Sequence, residues 1–285
     1  MSEPVLVVVR CLNDAWVVGE TLAAIFVQRE VEPRVVAIDS GSTDGSVEIL
    51  HGFPLTLLEI PKGSYIPGRV LNLGMRQGSE PFVAFVNSDC TPQHDTWLIR
   101  LIEPMHGDER VAAVYGRQVA RPDAHPLVAF DYERGFGDGR EAATWRHFFS
   151  MASSAVRRTV WQEHPFDEEI RYSEDVLWSW QRRQEGWRIA YAGDSVAMHS
   201  HNYTLAEMRR RFAGEGRADA RIFPRETLAV GLVGGVLRPW VGAVVRDAAW
   251  CLRGRHWRAL AASPVQRLVQ RSSYRRGLRE GLGNG

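Results

Sequence analysis

Residues Val5 to Val9 are apolar at every position, and four of the five are valine. A strand with one wet face alternates apolar and polar side chains. An unbroken β-branched run is covered on both faces and belongs in a parallel sheet flanked by helices. The pattern recurs at Val35-Val36-Ala37-Ile38 and at Phe82 to Val86 within the strand read over Pro81 to Val86, and Leu55 to Ile60 reads as a further strand. Between the first two runs, Asn13-Asp14 precede Thr21, Leu22, Ile25 and Phe26, which share one helical face. Ser46 to Leu50 begins another helix after a turn at Ser40 to Gly45. Strand and helix alternating in units of about 30 residues predict an α/β fold with a mostly parallel sheet.

Further along, Val111 to Tyr115 reads as a strand and Ser150 to Val156 as a return to the sheet. Trp187 to Tyr191 and Ser195 to His199 read as two late strands. Glu174 to Glu185 reads as a helix carrying Trp178 and Trp180, and Leu205 to Arg217 as a strongly basic helix. Asp123 to Thr144, rich in Gly, Pro and charge, reads as irregular or mobile. The 18 residues from Leu228 to Val245 are mostly apolar, but Arg238, Pro239 and four glycines interrupt them. A spanning helix needs about 20 apolar residues, so an amphipathic segment or helical hairpin lying on a membrane or on the core is expected.

With 285 residues, 45% of them hydrophobic, the chain can bury one large core or two modest ones, which excludes disordered, collagen-like and disulfide-scaffold classes. The division expected is a sheet domain over 1–204 and a helical region over 205–285. Charge follows that division. From His201 to Gly285 there are 16 Arg against 6 acidic residues, whereas the first 200 residues carry 19 basic and 28 acidic. The whole chain is close to neutral at +1, so no global field selects nucleic acid. The basic tail points to an anionic acceptor, a membrane surface or a second subunit, beside the plainer reading of a solvated helix face. Cys11, Cys90 and Cys251 are too scattered for a disulfide framework or zinc knuckle, and no leader peptide is visible. The expected location is cytoplasmic, with the inner membrane face as an alternative.

In open α/β sheets, ligands bind outside the carboxyl ends of the strands. Four groups fall there: Arg10 to Asp14, Asp39 to Asp44, Asn87 to Asp89, and His199 to His201. Carboxylates joined by an imidazole can hold a divalent cation, which neutralises charge on a departing oxygen. The turn Gly41-Ser42-Thr43-Asp44-Gly45 lacks the spacing of a dinucleotide loop, and Lys62, the one lysine, is not followed by Ser or Thr as a Walker loop requires.

Asp39-Ser40-Gly41-Ser42-Thr43-Asp44-Gly45 after an apolar strand resembles the nucleotide-binding turn of family 2 glycosyltransferases with the GT-A fold. Asn87-Ser88-Asp89 sits where that family has its D-x-D, and Ser173-Glu174-Asp175, behind Pro165-Phe166-Asp167-Glu168, resembles its late E-D motif. His201-Asn202-Tyr203-Thr204-Leu205 resembles the ending of bacterial rhamnosyltransferase-like members. The likeness spans roughly residues 3 to 205, with the motifs in family order.

The resemblance implies an inverting glycosyltransferase that moves a sugar from a nucleoside-diphosphate donor to a hydroxyl of a glycan or lipid-linked acceptor in polysaccharide or cell-wall synthesis. Asp175 would be the general base, with Glu174 the rival. If neither is catalytic, both simply start a helix, where carboxylates suit the dipole. Asp89 and His199 would hold Mn2+ or Mg2+, with His201 competing for the imidazole position. Arg10, Asn13, Asp39, Ser40, Asn87 and Ser88 would line the nucleotide pocket. Asp39 has the alternative task of capping its own turn, and Asp44 that of capping the following helix. Trp178 and Trp180 would stack on a sugar or pack in the core.

Tyr65-Ile66-Pro67-Gly68-Arg69-Val70-Leu71-Asn72 matches the family's F-x-H-G-x-T-R-N donor run only at Gly68 and Asn72, with Arg69 free to take a phosphate. The changed positions weaken a rhamnose donor. Two other classes compete. A nucleotidyltransferase would carry a Gly-rich basic loop where Arg10-Cys11-Leu12-Asn13-Asp14 stands. A nucleotide-sugar-binding assembly module without turnover draws its support from Asn87 alone.

Overall fold

The computed structural model describes residues 2–143, 145, 147–223 and 232–283. The chain forms two compact units. The first comprises 1–121, 132–170 and 174–199, and the second comprises 122–131, 171–173 and 200–285. The second thus draws in two short segments from the amino-terminal side, which a single boundary after residue 204 does not provide.

The first unit is built on one eight-stranded sheet. Its strands are β1 (Glu3–Cys11), β2 (Val31–Asp39), β3 (Thr56–Glu59), β4 (Phe82–Asn87), β5 (Thr91–Pro92), β6 (Val111–Val119), β7 (Ser153–Arg157) and β8 (Arg188–Met198), in the spatial order β3-β2-β1-β4-β7-β6-β8-β5. β3, β2, β1 and β4 are mutually parallel, and β6 is parallel to β8. β7 runs against both β4 and β6, and β5 runs against β8. Six strands therefore point one way, and the reversed β7 makes the sheet mixed.

The continuous apolar run of β1 is explained by what covers it. Val5, Val7 and Val9 pack with Leu22 and Ile25 of α1 (Val18–Phe26) and with Trp97 and Leu101 of α4 (Trp97–Gly107). Leu6 and Val8 pack on the other face with Leu71 and Met75 of α3 (Pro67–Met75), and with Trp178 of α8 (Glu174–Gln184). Neither face meets water, so nothing selects polar side chains there. α2 (Ser46–His51) completes the β2–β3 crossover.

Three expectations need correction. The two late strands are one, β8, paired with β6 throughout. Its register jumps from Gly116↔Ala192 to Arg117↔Val196, so Gly193-Asp194-Ser195 bulge out and break the apolar pattern. Asp123 to Thr144 is not irregular. It holds α5 (Pro126–Phe136) and α6 (Arg140–Ala143), with Thr144 outside the described residues. Arg134, in α5, pairs with Glu141, in α6, so charge that reads as solvated loop serves helix packing. The hairpin is also absent. Residues 228–231 lie outside the described residues, but from Leu232 the chain stays helical through a π-turn (Val233–Leu237) into α10 (Arg238–Gly254). Pro239 follows directly on the π-turn, where the regular hydrogen-bond ladder is already interrupted.

In the second unit, α9 (Leu205–Ile222) packs on α11 (Trp257–Gly283). A Cβ on Gly216 would lie 2.2 Å from the Tyr274 carbonyl oxygen, and one on Gly277 2.1 Å from that of Ala213, so glycine sets the approach of the two helices. α9 opens with a capping box between Thr204 and Glu207. Arg267 of α11 donates to Asp247 (2.7 Å) and Asp131 (2.7 and 2.9 Å), tying α11 to α10 and to the start of α5. Among the described residues, no helix is long and apolar enough to cross a membrane.

Candidate active site

The carboxyl ends of β1, β2, β4, β6 and β8 share one edge of the sheet. Because β7 is reversed, its amino-terminal approach, with Met151 and Ala152, reaches that same edge. The Asn87 N–H donates to the Ala152 carbonyl there (3.1 Å).

The loops after β1 and β2 are joined by side chains. The Asn13 N–H donates to Ser42 Oγ (2.9 Å), and Asn13 Oδ1 accepts from the Thr43 N–H (2.9 Å). Asn13 sits at φ 57°, a left-handed geometry that asparagine tolerates better than most residues. Asp44 accepts from the Ala15 N–H (3.0 Å) and from the Ser46 N–H (3.1 Å), so it caps the entry to α2 and holds the first loop at once. Ser88 Oγ donates to Asp14, which fixes the loop after β4 to the loop after β1. The buried Ser40 N–H donates to the Cys11 carbonyl (3.0 Å).

Asp39 is buried. Its Oδ2 accepts from the Gly41 and Ser42 N–H groups (2.8 and 2.9 Å), and its Oδ1 accepts from Ser42 Oγ (2.5 Å). An ionised carboxylate accepts about four hydrogen bonds, so one position on Oδ1 is left for a ligand. Turn capping and ligand contact are therefore compatible in this residue.

The densest charge lies around Arg10. Its Nη2 donates to Asn87 Oδ1 (2.7 Å), and its Nη1 stands 3.7 Å from Glu174 Oε1. Burial works against the guanidinium charge, but Tyr65, Glu174 and Asp175 outweigh it, and the pKa is raised. Glu174 and Asp175 start α8. Glu174 is buried, whereas Asp175 keeps part of its surface accessible. Asp175 accepts from the Met151 N–H (3.1 Å) and the Val176 N–H (2.8 Å), which aim its carboxylate. Burial is the largest influence on both acids and pushes both pKa values up. Glu174 reaches about 7, raised further by the charge of Asp175 and restrained by Arg10.

On the far side of Asn87, Asp89 Oδ1 faces His199 Nε2 at 3.6 Å, with both residues buried. Gln118 Oε1 accepts from His199 Nδ1 (2.8 Å), and Tyr132 Oη lies 3.2 Å from that nitrogen. This fixes the ring with its other nitrogen toward the carboxylate, the orientation found in metal-ligating histidines. A gap of 3.6 Å is too long for a hydrogen bond but suits two ligands sharing a cation. Carboxylate plus imidazole is a fitting donor pair for Mn2+ or Mg2+. His201 follows two residues on, at the beginning of the second unit. Arg121 donates from Nη2 to the Asp89 carbonyl oxygen (2.7 Å) and stacks over Trp16, 4.6 Å from the ring centre.

Within the 65–72 run, Tyr65 interacts with Arg10, while Gly68, Arg69 and Asn72 are engaged elsewhere. Asn72 is buried, and its amide accepts from Trp161 Nε1 (2.8 Å) and the Phe166 N–H (3.0 Å) while donating to the Phe166 carbonyl and Glu168 Oε1 (both 2.9 Å). All its hydrogen-bonding capacity is used within the protein. Gly68 packs so closely on the Asp167 carbonyl that a Cβ would lie 1.8 Å from its oxygen. Arg69 pairs with Glu168 at 3.8 Å on the surface. These three residues clamp the segment leading to Glu174 rather than reaching toward the Arg10 cluster. Trp178 is a core residue that donates to the His164 carbonyl (2.6 Å), and Trp180 lies edge-on to His147.

Sequence reasoning missed Gln118, Tyr132 and Arg121. Ending the sixth strand at Tyr115 put them in a loop, whereas β6 runs to Val119 and delivers Gln118 and Arg121 to the functional edge. Met151 carried no signal, because it acts through its backbone.

The sequence profile of glycosyl transferase family 2 matches residues 6–163. An O-antigen chain rhamnosyltransferase of Salmonella anatum is 28% identical over 196 residues, covering 64% of this chain and 61% of the relative. Another from Salmonella typhimurium is 28% identical over 206 residues, covering 68% and 66% respectively. The chain thus spans less than two thirds of either relative's length. Among solved structures, a mannosyltransferase from Pyrobaculum calidifontis in complex with GDP-Man and Mn2+ superposes with a TM-score of 0.67 at 19% identity, covering 100% of this chain and 88% of that one. A glucosyl-3-phosphoglycerate synthase from Mycobacterium tuberculosis with Mn2+ and UDP gives a TM-score of 0.53 at 18% identity over 75% and 78% of the two chains.

Proposed function

From the premise that the chain belongs to glycosyl transferase family 2, and is a glycosyltransferase, we propose that it transfers a sugar with inversion from a nucleoside-diphosphate donor to a hydroxyl of a glycan or lipid-linked acceptor. One observation carries this reading. Asp175 is a partly accessible carboxylate, aimed by two backbone N–H groups, on the same sheet edge as the Asp89–His199 pair.

In the transfer, the acceptor oxygen attacks the anomeric carbon and gives its proton to Asp175. The bond from that carbon to the diphosphate oxygen breaks, and the nucleoside diphosphate leaves on the opposite face. No covalent sugar–enzyme bond is required. Burial makes Asp175 a stronger base than an exposed aspartate. Glu174, facing Arg10, tunes that basicity rather than taking the proton. Asp39 and Asn13 line the base and ribose end of the pocket, and Arg10 and Asn87 face the sugar-bearing end. A divalent cation held by Asp89, His199 and His201 would supply positive charge for the departing diphosphate. Gly68, Arg69 and Asn72 hold the segment before Glu174 in place.

The O-antigen enzymes among the relatives support polysaccharide assembly as the process. We place the sheet unit as the donor-binding part and the basic helical region as the acceptor side, in the cytoplasm.

Calorimetric titration with UDP, dTDP and GDP, each with and without Mn2+, tests the donor site. Metal-dependent binding of one of them is expected. Asp175→Asn is expected to keep that binding while turnover falls by about two to four orders of magnitude. If Asp175→Asn retained most activity, Glu174 would replace it as the base. Binding without transfer across a broad acceptor panel would favour an assembly module, and no nucleotide binding would defeat the donor site outright.

A further inference from the structure

Helix α10 has a buried side that carries one charged residue and an outward side with three exposed apolar side chains. Ala243, Asp247 and Cys251 are its buried residues. Val241, Val245 and Leu252 are 50%, 63% and 52% exposed. At 3.6 residues per turn these three fall within about 40° of one another, on the side of the helix turned away from the buried set. Trp257, just beyond the helix, is 61% exposed. Exposed side chains of this size in a continuous stripe mark a contact surface rather than a solvent face.

The charge around the stripe is of one sign. Between residues 232 and 279 there are ten arginines and a single acidic residue, Asp247; Glu280, the other acid of the described 232–283 stretch, pairs with Arg217 (2.6 Å) and Arg276 (3.5 Å) near the end of α11. Asp247 is fully buried, with its carboxylate engaged by Arg267 and Ser263. The described surface from 232 to 279 therefore shows guanidinium groups without an exposed carboxylate. Arg238, Arg253, Arg255 and Arg258 are exposed beside the stripe.

We propose that this face of α10, with Trp257, docks on the surface of an anionic lipid bilayer, lying in the plane of the membrane. An outward apolar stripe with arginine flanks and an interfacial tryptophan is the chemistry of an in-plane amphipathic helix. Guanidinium groups meet lipid phosphates while the valines and leucine enter the acyl boundary. No described helix has the length and apolarity to cross, so contact is limited to the surface. A second copy of the chain fits this face poorly, because a two-fold interface sets a patch against itself and here opposes arginine to arginine. The proposal is independent of the transferase reading.

The test is co-sedimentation of the full chain with vesicles of phosphatidylglycerol and phosphatidylcholine in equal parts, against phosphatidylcholine alone. Binding to the mixed vesicles only, weakened by salt, is expected. The triple substitution R253Q/R255Q/R258Q is expected to lower the partition about a hundredfold, at about fivefold per arginine. V241E/V245E is expected to remove binding at any salt. Circular dichroism and urea midpoints equal to those of the parent establish that both variants are folded. Equal binding to neutral vesicles, or none to anionic ones, overturns the proposal. So does a dimer in sedimentation velocity that V241E/V245E turns into a monomer, because the stripe is then a self-interface.

Discussion

Replacing Glu174 with glutamine is expected to stabilise the protein, and only where the parent side chain is charged. Glu174 is 8% exposed, and its carboxylate lies beside that of Asp175, with Arg10 at 3.7 Å. Burial and the neighbouring acid outweigh the arginine, so the folded protein holds the Glu174 proton up to about pH 7, against 4.5 for the ordinary side chain. Below 4.5 the group is neutral in both folded and unfolded states and contributes nothing. Between 4.5 and 7 the folded state keeps a proton that the unfolded chain has released, so stability falls as pH rises. Above 7 the full cost of the buried charge is present, about 3 kcal/mol at about 1.4 kcal/mol per pKa unit. Glutamine reproduces the neutral acid in shape and hydrogen bonding. Urea unfolding followed by tryptophan fluorescence should therefore show Glu174→Gln equal to the parent near pH 4 and more stable by about 3 kcal/mol near pH 8. A variant less stable than the parent at pH 8, or offset by the same amount at every pH, would refute the reasoning, because Arg10 would then be stabilising Glu174 as an anion.

Glu174 still holds its proton where Asp175 titrates, so Glu174→Gln is expected to leave the acid limb of the transfer-rate profile in place. Asn87→Asp should move that limb to higher pH, since a further carboxylate 2.7 Å from Arg10 competes with Glu174 and Asp175 for it; a steady-state pH–rate series checks both. Asn72→Ala leaves Trp161 Nε1 and the Phe166 backbone without buried partners and should cost about 3 kcal/mol in urea unfolding, with nucleoside-diphosphate affinity in calorimetry little changed. Arg267→Met removes the charge partner of the fully buried Asp247, leaving it the Ser263 hydroxyl, and should destabilise the helical unit by about 3–5 kcal/mol, read by circular dichroism during urea unfolding.

The half of the sheet that could be read from sequence is the half whose strands are covered on both faces. β1, β2 and β4 are runs of apolar residues that carry Arg10, Asp39 and Asn87 at their carboxyl ends, the edge where the rule for ligand sites had placed them. The other half was harder to read for two reasons. β6 and β8 are longer than their apolar stretches, because Gly116-Arg117-Gln118 and Gly193-Asp194-Ser195 belong to a strand and to a bulge but have the composition of turns. The residues placed at the end of β6, Gln118 and Arg121, were lost with them. Strand direction is also invisible in a single run. Only the reversal of β7 brings the Met151 N–H to Asp175, and a backbone donor has no residue type to announce it. In the helical region, Asp123 to Asp131 looked like loop because a charge that finds its partner far along the chain, as Asp131 finds Arg267, is indistinguishable in sequence from a solvated one.

The residue most easily read as a defect is Asn87, an amide where relatives of this fold were expected to place an acid. Its environment argues otherwise. Arg10 is buried and already stands between Asn87 on one side and the Glu174–Asp175 pair on the other. Those two acids are held partly neutral by burial, so one guanidinium is close to balancing the charge that they carry near neutral pH. A carboxylate at 87 would turn that balance into a net negative charge in a desolvated place, where each charge acts over a lower dielectric than in water. A diphosphate-bearing donor, as proposed, would be repelled by that excess. The amide keeps the hydrogen bond to Arg10 without the charge, and it leaves Asp89, on the far side of the same turn, as the acid facing His199. On the proposed reading, the amide at 87 and the acid at 89 then divide the work: Arg10 offsets the Glu174–Asp175 pair, and Asp89 with the histidines would take the cation.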